Sequence, residues 1–314
     1  MSAIPATFKA YQYESFGQDP LKEIKLNPKA EQKPLRPGEV RVKVFSAALN
    51  PIDYKMIAYG PALVSTRPTP ENPFRLGFDL AGKVVELGDD VKDYVVGDEV
   101  YAMPWLDAIS SFGEYINVDT KFLAHKPTNM SWNEAAGAIH TYGKLQKGQR
   151  VLIVGGSSGT GSFAIQIAKV VGAEVIATCS ERNVELVKSL DADRVIDYTK
   201  EKWSEVLEAH SVDLIYDCDF EAGSWNVEAQ KVLKEQTGIF VTIGVIDKPV
   251  DSPIGATQHQ IFNAPCAAFL LELKELAEAG QLKTIIDSVH PLENVIICLS
   301  HRAKGKIIIE VAKE

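Results

Sequence analysis

The sequence predicts an α/β chain in two parts, a mainly β domain and a doubly wound parallel sheet. Three observations predict it. Between residues 151 and 169 a short β-branched run meets a cluster of glycines, and a helical pattern starts at once behind them. Apolar runs at 173–179, 194–197, 212–217 and 238–244 then alternate with helical patterns at 183–190, 202–209 and 222–233, the arrangement of a parallel sheet with crossover helices. Residues 1 to about 125 differ: four stretches, at 9–13, 39–45, 81–86 and 97–102, read as short strands punctuated by Pro, Gly and Asp.

The glycine stretch is the centre of the reading. Val151 to Val154 has the length and branching of a buried strand. From Thr160 the apolar positions Phe163, Ile167, Val170 and Val171 recur at helical spacing. Between them lie Gly155, Gly156, Ser157, Ser158, Gly159, Thr160 and Gly161. Glycine there permits a positive φ and the close approach of a phosphate. The free N–H groups and partial positive charge of the following helix suit an anion. These seven residues are assigned to a dinucleotide pyrophosphate. Their spacing departs from G-x-G-x-x-G, and the βαβ context carries the assignment. The second strand ends at Ser180, Glu181, Arg182 and Asn183, about 20 residues past the last glycine, where the ribose is read. Glu181 suits a 2′-hydroxyl and hence NAD. Ser180 and Arg182 suit the 2′-phosphate of NADPH.

Composition removes other classes. A chain of 314 residues is long enough for two domains. Hydrophobic content of 46% and charged content of 24% are those of a soluble globular protein, and a net charge of -9 disfavours a nucleic-acid surface. No apolar run approaches the ~20 residues of a membrane helix. The N-terminal residues read as neither a signal nor a transit peptide. Cys179, Cys218, Cys266 and Cys298 contain no C-x-x-C pair, against both a zinc lobe and a disulfide framework. A cytoplasmic location is expected.

Several strings together carry a resemblance: Ala47 to Lys55, Gly77 to Gly82, Val96 to Val100, Phe112 to Tyr115, the glycine turn, and Gly305 to Val311. In these the chain resembles the zinc-free medium-chain dehydrogenase/reductases, in the quinone oxidoreductase and alkenal reductase branch. The resemblance implies a GroES-like catalytic domain, placed at 1–125 and 265–314, and a Rossmann nucleotide-binding domain at 126–264. It implies hydride transfer from NADPH to a quinone or an α,β-unsaturated carbonyl, and a homodimer or homotetramer. It places Asn50, Tyr54 and Lys55 beside the nicotinamide and the substrate, as donors to an oxygen that gains charge or as proton sources. Outside that role, Asn50 begins a turn with Pro51 and Lys55 is exposed. Tyr198 occupies a position bordering the adenosine phosphate, and with Ser180 and Arg182 it favours NADPH. Gly244, closing the run at 238–244, is assigned to the cofactor as well.

The zinc ligands of the related alcohol dehydrogenases are missing at Asn50 to Tyr54 and at Gly77 to Gly82. Asp79 then reads as a structural carboxylate with backbone partners, and no metal is expected. Ser131 to Glu134 reads as a capping box. Residues 139–150 and 294–303 look shorter than their family counterparts. That shortening motivates an alternative function, an NADPH-binding redox sensor or partner-binding protein with little turnover. His140, Trp105 and an amphipathic stretch at 271–282 are read as structural or surface features.

Overall fold

The alternating stretches near the N-terminus become strands. They are β1 (Thr7–Tyr13), β2 (Lys25–Glu31), β3 (Glu39–Leu49), β4 (Phe74–Arg75), β5 (Asp79–Leu87), β6 (Glu99–Ala102), β7 (Tyr115–Asp119) and β8 (Leu123–His125), with helices α1 (Pro20–Glu23), α2 (Pro51–Leu63) and α3 (Trp132–Gly137). The βα part follows as β9 (Arg150–Val154), α4 (Gly159–Val171), β10 (Glu174–Cys179), α5 (Val184–Lys188), β11 (Arg194–Asp197), α6 (Trp203–Val206), β12 (Leu214–Asp217), α7 (Glu228–Val232), β13 (Ile239–Thr242) and β14 (Thr257–Gln260). The tail adds α8 (Ala267–Glu278), β15 (Ile286–Pro291), α9 (Val295–Cys298) and β16 (Lys306–Glu310). This computed structural model describes residues 3–106, 110–137, 145–261, 264–301 and 303–313.

The chain divides into two units, Met1–Ile139 with Ala264–Glu314, and His140–Asn263. Residues 126–137, which the sequence reading puts with the parallel sheet, cluster with the first unit. The reason is packing. The capping box forms as read, with Ser131 N and Oγ donating to Glu134 Oε2 at 2.8 and 2.7 Å. The helix it starts, α3, lies against β3, β5 and β16. Thr284 Oγ1 donates to the Glu134 carbonyl at 2.8 Å, tying the helix to the tail.

In the first unit the largest sheet runs β15-β16-β3-β5-β6-β8, with β7 also pairing β3. Alternate residues of its strands, among them Val40, Val42, Leu80 and Val100, fill one apolar cluster. Strand β3 is central to the site. β16 runs antiparallel along one side of it, with Ile307 opposite Leu49. β5 runs antiparallel along the other, with Asp79 opposite Ala48. Lys306 and Asp79 therefore flank the end of β3, where Asn50 follows.

The second unit is a six-stranded parallel sheet in the order β11-β10-β9-β12-β13-β14, the 3-2-1-4-5-6 order of a dinucleotide fold. Neighbours lie on both sides of β9, β10 in one direction and β12 in the other. A ligand crevice is expected at the carboxyl ends of these strands, where the order reverses. Leu152, Ile215, Phe240, Trp203 and Trp225 pack one face. The helical pattern at 222–233 breaks at Val227 into a 3-10 turn, Ala222–Asn226, and α7. The helix read at 271–282 starts and stops four residues earlier.

Candidate functional site

The glycine turn is held by β10. Gly155 N donates to Thr178 Oγ1 at 3.0 Å and Gly156 N to the Thr178 carbonyl at 2.8 Å. Gly155 has φ +80°, and a Cβ at Gly161 would meet the Gly155 carbonyl oxygen at 2.2 Å, so both positions require glycine. Ser158 caps α4, its Oγ accepting from Gly161 N at 3.0 Å. The amides of Ser157, Gly159 and Thr160 have no hydrogen-bond partner among the described residues. A 13-residue helix thus opens with donors that have no partner among the described residues, beside a turn too tight for side chains, the arrangement that fits a pyrophosphate. Gly244 differs: its N–H goes to Thr242 Oγ1 at 2.8 Å. A Cβ there would crowd Ala222 and Thr242 at 3.2 Å, so internal packing accounts for that glycine.

The ends of β10 and β11 converge beside this turn. Asn183 Nδ2 donates to Ser157 Oγ at 3.1 Å and to Ser180 Oγ at 3.3 Å. Tyr198 N donates to the Cys179 carbonyl at 3.1 Å. Ser180, Arg182 and Tyr198 therefore gather at one rim, with Tyr198 half exposed. Arg182 is exposed and has no ion pair or hydrogen bond among the described residues. Glu181 is occupied, since Lys200 Nζ lies 2.5 Å from its Oε1.

The segment after β3 is built differently. Asn50 begins α2 by donating its own N–H to Asp53 Oδ2 at 2.6 Å. Its side-chain Nδ2 donates to Asp79 Oδ2 at 2.8 Å, and its Oδ1 accepts from Lys306 Nζ at 2.6 Å. Lys306 closes the ring on Asp79 Oδ2 at 3.1 Å, the two side chains being 4% and 3% exposed. Asp79 is structural as read, but its partners are side chains from two distant segments rather than backbone. Burial raises the Asp53 carboxyl well above its usual range, and the nearby Asp79 charge adds to that. Asp53 Oδ1 is buried without a partner among the described residues. Burial also raises Asp79, against the pull of Lys306. Tyr54 packs against an apolar cluster with Leu76, Phe112 and Ile307. Lys55 is partly buried, which lowers its amine pKa.

Other candidates stand apart. Burial and the Asp197 charge push the Cys179 thiol up to about 11, and burial raises the Cys218 thiol well above its usual range, so neither is a ready thiolate. The Trp105 ring stacks on Phe122 at 6.5 Å. His140 lies outside the described residues. Sequence reading placed Asn183 at the strand end without a role and missed Thr178 and Lys200, whose position near strand ends is a usable signal. It also missed Lys306, for which no local signal exists.

Residues 36–128 match the alcohol dehydrogenase GroES-like domain, and residues 159–266 match the family described as zinc-binding dehydrogenase. A 2-methylene-furan-3-one reductase of Solanum lycopersicum is 34% identical, covering 98% of this chain and 80% of its own length. The chain belongs to the medium-chain dehydrogenase/reductase family. Its similarity lies in the quinone oxidoreductase and alkenal reductase branch. An NADPH-dependent alkenal/one oxidoreductase of Arabidopsis thaliana is 33% identical, over 98% of this chain and 81% of that protein. The solved quinone oxidoreductase of Coxiella burnetii superposes with a TM-score of 0.82 at 26% identity, covering 97% of this chain and 99% of that one. These relatives are named as oxidoreductases, which disfavours the sensor alternative. The alignment to the tomato reductase spans 330 positions against the 314 residues here, so at least 16 positions of that medium-chain reductase have no counterpart. Residues 139–144 of the first stretch read as short lie outside the described residues.

Proposed function

We propose that this chain is an NADPH-dependent, zinc-independent reductase of quinones or α,β-unsaturated carbonyls. The observation that carries the proposal is the second unit's rim, where the amides of Ser157, Gly159 and Thr160 and the guanidinium of Arg182 have no partner among the described residues. The names of these relatives point the same way, to alkenals and enones in two cases and to a quinone in a third.

Bound NADPH would supply the hydride. The chain's own residues supply the rest. The amides at the start of α4 would hold the pyrophosphate, and Arg182, Ser180 and Tyr198 would hold the 2′-phosphate, for which a guanidinium is well suited. Asn50 is the donor to the substrate oxygen. One of its amide N–H groups is held by Asp79, while the other has only a long contact, 3.4 Å, to the Ala48 carbonyl. Lys55, its amine acidified by burial, is the proton source, and Tyr54 props the same helix turn against the core. Zinc independence rests on Asp79, whose carboxylate already carries Lys306 at 3.1 Å. A second cation on that carboxylate would face an ammonium.

The test is NADPH oxidation followed at the nicotinamide absorbance over a panel of quinones and enones, before and after prolonged EDTA treatment. Turnover of at least one class, unchanged by EDTA, is expected. No turnover of either class despite tight NADPH binding would overturn the reductase reading, and EDTA-sensitive turnover would overturn zinc independence.

A further inference from the structure

The rim beside Arg182 holds a second cation whose position decides what Glu181 can do. Lys200 Nζ lies 2.5 Å from Glu181 Oε1 and 3.5 Å from Asp197 Oδ2. The turn after β11 sets that position. Lys200 N and Glu201 N both donate to the Asp197 carbonyl, at 3.0 and 3.1 Å. Asp197 Oδ1 is taken by Thr199 N at 3.0 Å and Thr199 Oγ1 at 2.7 Å. Pairing of β10 with β11 ends with Cys179 opposite Asp197, so the residues just beyond each strand face one another. One ammonium thus spans two carboxylates at the place where the ribose is read.

We propose that Lys200 is a specificity-determining residue that selects NADPH over NADH by occupying Glu181. The inference rests on the assignment of the 2′-phosphate to Ser180, Arg182 and Tyr198. Glu181 is the rim's acceptor for a 2′-hydroxyl, and a free carboxylate would also repel a phosphate bearing nearly two negative charges. With Lys200 in place, Glu181 and Asp197 are balanced by Arg182 and Lys200. Without it, two carboxylates face one guanidinium. The lysine remains charged, because the hydrogen bond to Glu181 raises its pKa. Discrimination of this kind comes as much from removing the wrong contact as from adding the right one.

The experiment is calorimetric titration of NADPH and NADH into four proteins: wild type, Lys200→Met, Lys200→Met/Glu181→Gln, and Arg182→Ala. Lys200 is largely exposed, so these variants are expected to fold. Lys200→Met should shift the NADPH-over-NADH ratio by about tenfold toward NADH, and adding Glu181→Gln should recover at least a third of the lost NADPH affinity. A shift below about twofold in Lys200→Met, with Arg182→Ala still losing NADPH selectively, overturns the Lys200 role alone. No recovery in the double variant overturns the action through Glu181. If Arg182→Ala is also unselective, the 2′-phosphate assignment itself fails, and the Lys200 role with it.

Discussion

The glycine turn of the second unit and the Asn50 cluster of the first solve opposite problems with charge. At the turn, donors have no partner among the described residues: the amide of Ser157, the first two helix amides, at Gly159 and Thr160, and the exposed guanidinium of Arg182. At Asn50 nearly every polar group is closed on another, with Asp79, Lys306 and Asn50 in a buried ring. Open donors cost little at the surface because water serves them until a ligand arrives. Buried charges have no such substitute and must be paired. The glycine turn therefore leaves donors to solvent, and the Asn50 cluster holds one amide rigidly.

The comparison predicts where mutations act. The largest effect belongs to the buried ring. Lys306→Met leaves Asp79 buried and unpaired, and should lower stability by about 3–5 kcal/mol in urea denaturation. The double variant Lys306→Met/Asp79→Leu should recover much of that. A wild-type midpoint for Lys306→Met would show that the ring carries no weight.

Gly161→Ala acts on the other region. The new methyl would press on the Gly155 carbonyl oxygen at 2.2 Å and on Gly156 Cα at 2.9 Å, so the turn has to shift. A stability loss of roughly 1–3 kcal/mol is expected, together with at least a tenfold weaker dinucleotide affinity, about 1.4 kcal/mol. Unchanged affinity by calorimetry would mean that the turn does not touch the cofactor.

The smallest effect is a slope. Burial raises the Asp53 carboxyl well above its usual range. The native state then keeps a proton that the unfolded chain releases above about pH 4. Unfolding releases that proton, so stability falls as pH rises from about 4 toward the native pKa, by at most about 1.4 kcal/mol per pH unit. Asp53→Asn should flatten this dependence in denaturation curves taken between about pH 5 and 8. The same slope in the variant would remove Asp53 as its source.

What was legible in sequence follows the same division. The glycine turn, the strand ends at Cys179 and Asp197, and the rim residues Ser180, Arg182 and Tyr198 lie within about 45 residues of one another, and the alternation of a βαβ unit places them. The Lys306 bond to Asn50 joins residues 256 apart. It depends on the tail strand pairing antiparallel with β3 in one register, which no local pattern reports. Asp79 was readable as structural but not its partners, for the same reason. Residues 126–137 precede the glycine strand in sequence, while α3 finds its partners on β3, β5 and β16, contacts that no local pattern reports.

The most direct test of an open, phosphate-reading rim is a pair of calorimetric titrations, NADPH and NADH, on wild type and Arg182→Ala, beside their urea midpoints. Arg182 has no partner among the described residues, so its loss should leave the midpoint unchanged. NADPH should weaken by roughly 1.5–3 kcal/mol, about tenfold to a hundredfold or more, with NADH unaffected. Equal weakening of both cofactors, or a wild type that prefers NADH, would contradict the account.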